Sequence, residues 1–100
     1  MIYVLWEFMV QPDRLAQFEH IYQPEGRWAQ LFRRDPAYRD TILIRDHEHC
    51  GRYLTIDVWE DRASYLRFKE RFADDYRKID QDCEDLTTRE REIGIFEQAP

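Results

Sequence analysis

Three glycines and four prolines in 100 residues leave almost nothing from which to build a linker. No low-complexity tract or internal repeat interrupts the chain, so residues 1–100 read as one domain, long enough to bury a modest core. Only two cysteines occur, Cys50 and Cys83, far apart and without an export signal, and two free thiols are expected. No apolar run nears the roughly 18 residues of a membrane span. Basic residues are outnumbered, and a net charge of −6 argues against nucleic acid or an anionic membrane as partner. The opening MIYVLWEFMV carries Glu7 and lacks a basic leader, so it reads as a strand rather than a signal peptide, and a cytoplasmic protein is expected.

Aromatic residues are plentiful instead, 15 in all, and they fall in apolar stripes. Ile2, Val4, Trp6, Phe8 and Val10 take one face of a first strand; Tyr3, Leu5, Glu7 and Met9 take the other. Pro12 and Asp13 suit a helix start, and Leu15, Phe18 and Tyr22 follow at helical spacing. Pro24 and Gly26 interrupt it, a short helical piece carries Trp28, Leu31 and Phe32, and Asp35-Pro36 ends that. Residues 37–47 and 52–59 form two strands joined by a polar turn. Asp61 is placed to cap a long helix whose stripe is Tyr65, Phe68, Phe72, Tyr76, Ile79, Cys83 and Leu86. Its other side is charged in both signs and reads as a solvated surface. Thr87 and Thr88 loosen the helix end, and residues 92–98 make the last strand.

The order β-α-β-β-α-β predicts an α+β, ferredoxin-like fold: a four-stranded antiparallel sheet in the order 4-1-3-2 with its helices on one face. A strand apolar on both faces needs a second cover. A second copy of the sheet, packed face to face as a homodimer, is the expected one.

Several residues are candidates for chemistry. In RYLTIDVWEDRASYLRF, residues 52–68, Trp59 ends a strand while Tyr65 and Phe68 begin a helix. These are either core residues or the lining of a small pocket. Glu7 and Asp57 are acids within central strands, and each must be ion-paired (with Arg45 or Arg52, or across a dimer seam), hydrogen-bonded, or raised in pKa as a base. His47, Glu48, His49 and Cys50 are rich in donor atoms but lack a second ligand pair, and they read as a polar turn; no metal site is assigned. His20 sits near a helix end, and Cys83 packs as a small hydrophobe. GRYLTIDVW does not satisfy the aromatic RNA-recognition pattern.

The element order, the VWEDRASYLRF segment at 58–68 and the CEDLTTREREIGIF tail at 83–96 resemble the antibiotic biosynthesis monooxygenase family across nearly the whole chain. The resemblance implies a dimeric α/β barrel holding a small aromatic or quinone-like ligand between sheet and helices, oxidised without metal, flavin or other cofactor. Trp59 and Tyr65 match a tryptophan and a tyrosine of the quinone-forming members. Thr55 stands where those enzymes have an asparagine. The haem-degrading members' ligand position falls on Lys78 and their helix tryptophan on Phe68, so haem ligation has no imidazole here. Carried over, Trp59 and Tyr65 are the expected catalytic pair, and Trp6, Thr55, Phe68, Phe72 and Tyr76 the expected substrate-binding residues. Glu7 or Asp57 is the candidate base. The competing expectation is a non-catalytic dimeric domain that binds or senses a small molecule.

Overall fold

The computed structural model describes residues 1–100. The elements run β1 (Ile2–Val10), α1 (Leu15–Tyr22), α2 (Arg27–Phe32), β2 (Tyr38–Arg45), β3 (Arg52–Trp59), α3 (Arg62–Arg71), α4 (Ala73–Cys83) and β4 (Thr87–Phe96). All strands are antiparallel in the order β2-β3-β1-β4, which is the expected ferredoxin-like sheet. No helix is long and apolar enough to cross a membrane.

Alternation along the strands decides what each face holds. Trp6 pairs with Thr55, Val4 with Asp57 and Ile2 with Trp59, and this face looks toward the helices. Val4, Phe8, Phe18, Tyr53, Trp59, Phe68 and Leu86 close the core there. Glu7, Leu5 and Tyr3 pair with Leu54, Ile56 and Val58 on the opposite face, which no helix covers. Ile42, Ile44 and Phe96 are the exposed large apolar residues at that face's flanks.

Three boundaries depart from the sequence reading. The long helix is two: its apolar stripe continues, but the backbone leaves helical geometry at Phe72 (φ −108°, ψ 28°). The amides of Phe72 and Tyr76 still donate to the carbonyls of Phe68 and Phe72, so the ladder bends without breaking. Side-chain periodicity survives such a bend and cannot report it. The last strand starts at Thr87 rather than residue 92. TTRERE is charged on both faces because β4 is an edge strand beside β1, and charge protects an edge. The first helix also begins later than expected, at Leu15, after a turn at Pro12 and Asp13. The Asp61 cap is as expected, its Oδ1 accepting from the Ser64 amide at 2.7 Å.

Gly26 fixes the angle between α1 and α2. A Cβ there would lie 2.2 Å from the Ile21 carbonyl oxygen, so the two backbones meet where only glycine fits. Gly26→Ala is expected to cost about 1–3 kcal/mol, the usual range for overpacking. A urea midpoint unchanged from the parent would show that this junction can open freely.

Candidate active site

The inner face of the sheet does not pack solidly against the helices everywhere. A cavity of about 50 Å³ lies between them, lined by Trp6, Phe8, Thr55 and Asp57 from the central strands and by Thr41 from β2. Tyr22, Trp28 and Phe32 of α1 and α2 form one side; Tyr76 and Asp80 of α4 face Glu90 of β4 at the other. Asp80 and Glu90 are exposed, so they mark the mouth. The volume suits a few water molecules or the leading edge of one ring, with the rest of a ligand standing in the mouth.

Asp57 sits at the floor. It is buried, with 9 % exposure, and no cation approaches within ion-pair distance. Its Oδ1 accepts from the Thr41 hydroxyl at 2.8 Å, and Thr41 Oγ1 is in turn 2.6 Å from the Tyr38 hydroxyl. The second oxygen has no protein partner. Burial pushes the carboxyl up to about 7, and the Thr41 hydrogen bond opposes that only in part. A carboxyl poised there takes or gives a proton at neutral pH. The phenols of Tyr22 and Tyr76 are likewise pushed up by burial, so both remain neutral donors.

Glu7, the other candidate base, is on the far side of the sheet. Arg52 Nε bonds its Oε2 at 2.8 Å and Arg91 reaches Oε1 at 3.1 Å. The hydrogen bond from Arg52 is the main reason its carboxyl is held below the usual range. Glu7 stays ionised and has no path to the cavity. The Glu48 amide, and after it Arg52 at 3.0 Å, holds the Asp46 carboxyl down to about 2. The ion pair expected for Glu7 with Arg52 is present; Arg45 instead reaches toward Glu19 at 3.4 Å.

Of the residues expected to form the site, Trp6, Thr55, Tyr76 and Asp57 line the cavity. Trp59, Tyr65, Phe68 and Phe72 are buried beside it instead. Trp59 is fully enclosed, its rings 5.7 Å from Phe32, 5.4 Å from Tyr65 and 4.8 Å from Phe68. Its indole N–H has no hydrogen-bond partner. Phe32, shared by cavity and cluster, is the wall between them. Thr41, Asp80 and Glu90 were not singled out from sequence. Thr41 is found only through the strand register that sets it opposite Asp57, and Asp80 only through its place four residues beyond Tyr76. His47, His49 and Cys50 assemble no metal-ligating group.

Sheet, helices and an aromatic cavity with one buried acid define a ferredoxin-like α+β protein with a small space between its two layers. Residues 1–79 match the antibiotic biosynthesis monooxygenase family, and the chain belongs to that family. Its fold is similar to SnoaB, a cofactor-independent oxygenase from Streptomyces nogalater, with TM-score 0.77 and 23% identity over 99% of this chain and 93% of that one. A conserved protein from Methanosarcina mazei Go1 is similar at TM-score 0.73 and 14% identity, over 98% of this chain and 92% of the other. A further antibiotic biosynthesis monooxygenase aligns along 100% of both chains at TM-score 0.67 and 16% identity. At these identities the likeness is one of fold. No curated protein matches the sequence significantly.

Proposed function

We propose that this protein is a cofactor-independent monooxygenase acting on a small aromatic or quinone-like compound, with Asp57 as its base. The observation that carries this reading is a buried carboxyl with one free oxygen, set at the floor of an aromatic cavity. A hydroxyarene or an activated ring methylene gives its proton to Asp57. The resulting anion is the reductant: it passes one electron to dioxygen, and the carbon and superoxide radicals combine as a peroxide. That peroxide takes the proton back and loses water, so that R₂CH₂ and O₂ become R₂C=O and H₂O. Thr55 and Thr41 hold the reacting oxygen and Asp57 in register, while Trp6 and Tyr76 exclude water. Trp59, Tyr65, Phe68 and Phe72 back the cavity and keep β3 in place.

Oxygen uptake with a panel of single-ring dihydroxyarenes tests this reading. Uptake that requires Asp57 supports it; none across the panel removes it. A second reading is favoured by the solid packing around Trp59 and the small cavity: a domain that binds such a molecule without turning it over. Saturable binding without uptake would select that one.

The same proposal includes a second copy of the chain on the bare sheet face. Ile42 and Ile44 are 42 % and 44 % exposed there, beside Leu54 and Ile56, and such a surface gains by leaving water. Ile42→Glu with Ile44→Glu is expected to convert a dimer into single subunits in sedimentation. A parent that is already a single subunit at micromolar concentration would overturn the assembly.

A further inference from the structure

The cavity has no basic residue in its wall and three acids: Asp57 at the floor, Asp80 and Glu90 at the mouth. Neither Asp80 nor Glu90 is in an ion pair, although most arginines in the chain have found one. Burial and the neighbouring Asp80 raise the Glu90 carboxyl, so the two feel each other. The Lys69 ammonium lies over the rings of Tyr65 and Tyr76 at 5.5 and 5.3 Å and is not part of the wall. An unrelieved pair of like charges at a pocket's entrance destabilises the protein alone, and a cation between them removes that penalty.

A second observation points to a ligand independently of this pair. Thr55 and Asp57 are 5 % and 9 % exposed and line the cavity. The Thr55 hydroxyl and the second Asp57 oxygen have no protein hydrogen-bond partner and stand open to the cavity, while the indole N–H of Trp28 in the same wall is fully buried without one, and a buried polar group left so asks for a partner. Donor hydrogens at the floor, a ring's edge between aromatic walls and a cation at the mouth would satisfy every part. Trp6, Tyr76 and Trp28 add aromatic rings to the wall, and a ring's face attracts a cation in its own right.

We propose that the cavity selects a hydroxyarene bearing a positively charged alkylamine, its hydroxyl on Asp57 and Thr55 and its ammonium between Asp80 and Glu90. This rests on the cavity being the ligand site, as in the function proposed above. It also addresses a cost of that chemistry: the substrate anion formed beside three acids is offset by the ligand's own charge.

Three probes of nearly one shape test it: 4-hydroxyphenethylamine, 4-ethylphenol and 3-(4-hydroxyphenyl)propionate. Trp6 and Trp28 in the wall provide the readout, as fluorescence quenching on titration. The amine is expected to bind about tenfold more tightly than the neutral phenol, with the acid weaker again, and the preference should shrink as salt is raised. In the Asp80→Asn, Glu90→Gln double variant, both at exposed positions, the amine and the neutral phenol should bind alike. Equal binding of all three by the parent, or a preference for the amine that survives the double variant, overturns the selection while leaving the site in place. Binding by none of the three overturns the selection and the cavity's role as ligand site together.

Discussion

Asp57→Asn is expected to abolish oxygen uptake, by about 100-fold or more, the usual loss for a positioned base, and at the same time to make the fold more stable at pH 8. The second half follows from burial. The folded carboxyl titrates at about 7 against an ordinary value of 3.8, so between those values the folded chain keeps a proton that the unfolded chain has released. The folded state then binds more protons, and stability falls as pH rises through that window. What Asp57 contributes is present below the unfolded value and is lost once pH passes about 7. Asparagine keeps an oxygen for the Thr41 hydroxyl and carries no charge to desolvate. The variant and parent should therefore melt nearly together at pH 4. They should diverge by pH 8, by at most about 4 kcal/mol, since each tenfold change in proton affinity is worth about 1.4 kcal/mol. Thermal melts by circular dichroism at both pH values measure this. Loss of activity with equal or lower stability at pH 8 would mean that Asp57 is ionised and paired by something else in the folded protein.

Trp59→Ala is expected to be the most damaging single truncation in the core. The side chain is fully enclosed and meets Phe32, Tyr38, Tyr65 and Phe68, so its loss opens a void that these rings cannot all fill. Such a change costs about 3–5 kcal/mol, a large part of the stability of an ordinary domain. Trp59→Phe is the informative partner. It keeps most of the packing and deletes an indole N–H that already lacks an acceptor, so the urea midpoint should fall much less than for alanine. Oxygen uptake by Trp59→Phe should track the parent's. A deep loss of uptake at near-parental stability would return Trp59 to direct contact with the substrate, which its burial here does not provide.

Strand identity and the two alternating sets of β1 and β3 were legible because a strand's period of two is unaffected by what covers it, and the sheet order followed from the element order and the handedness of its crossovers. Parity likewise put Glu7 with Tyr3 and Leu5, and Asp57 with Tyr53 and Trp59, while the β1–β3 register sets the two acids on opposite faces. Their separate fates were not legible. A line of sequence does not say that Arg52 and Arg91 flank Glu7, or that Thr41 is all that reaches Asp57, because those partners come from other strands. The Phe72 bend and the early start of β4 were hidden too: one leaves the apolar stripe intact, and the other has no apolar stripe to read.

The sequence by itself determined a ferredoxin-like sheet, its buried aromatic stripe, and a family whose pattern pointed to Trp59 and Tyr65. Only the tertiary structure decided that the open space lies one step along β3 from Trp59, at Thr55 and Asp57, with Asp80 and Glu90 at its entrance. The physical reason is that periodicity tells which way a side chain points, whereas a cavity is set by how far apart the opposing elements stand. That separation belongs to no single segment of the chain.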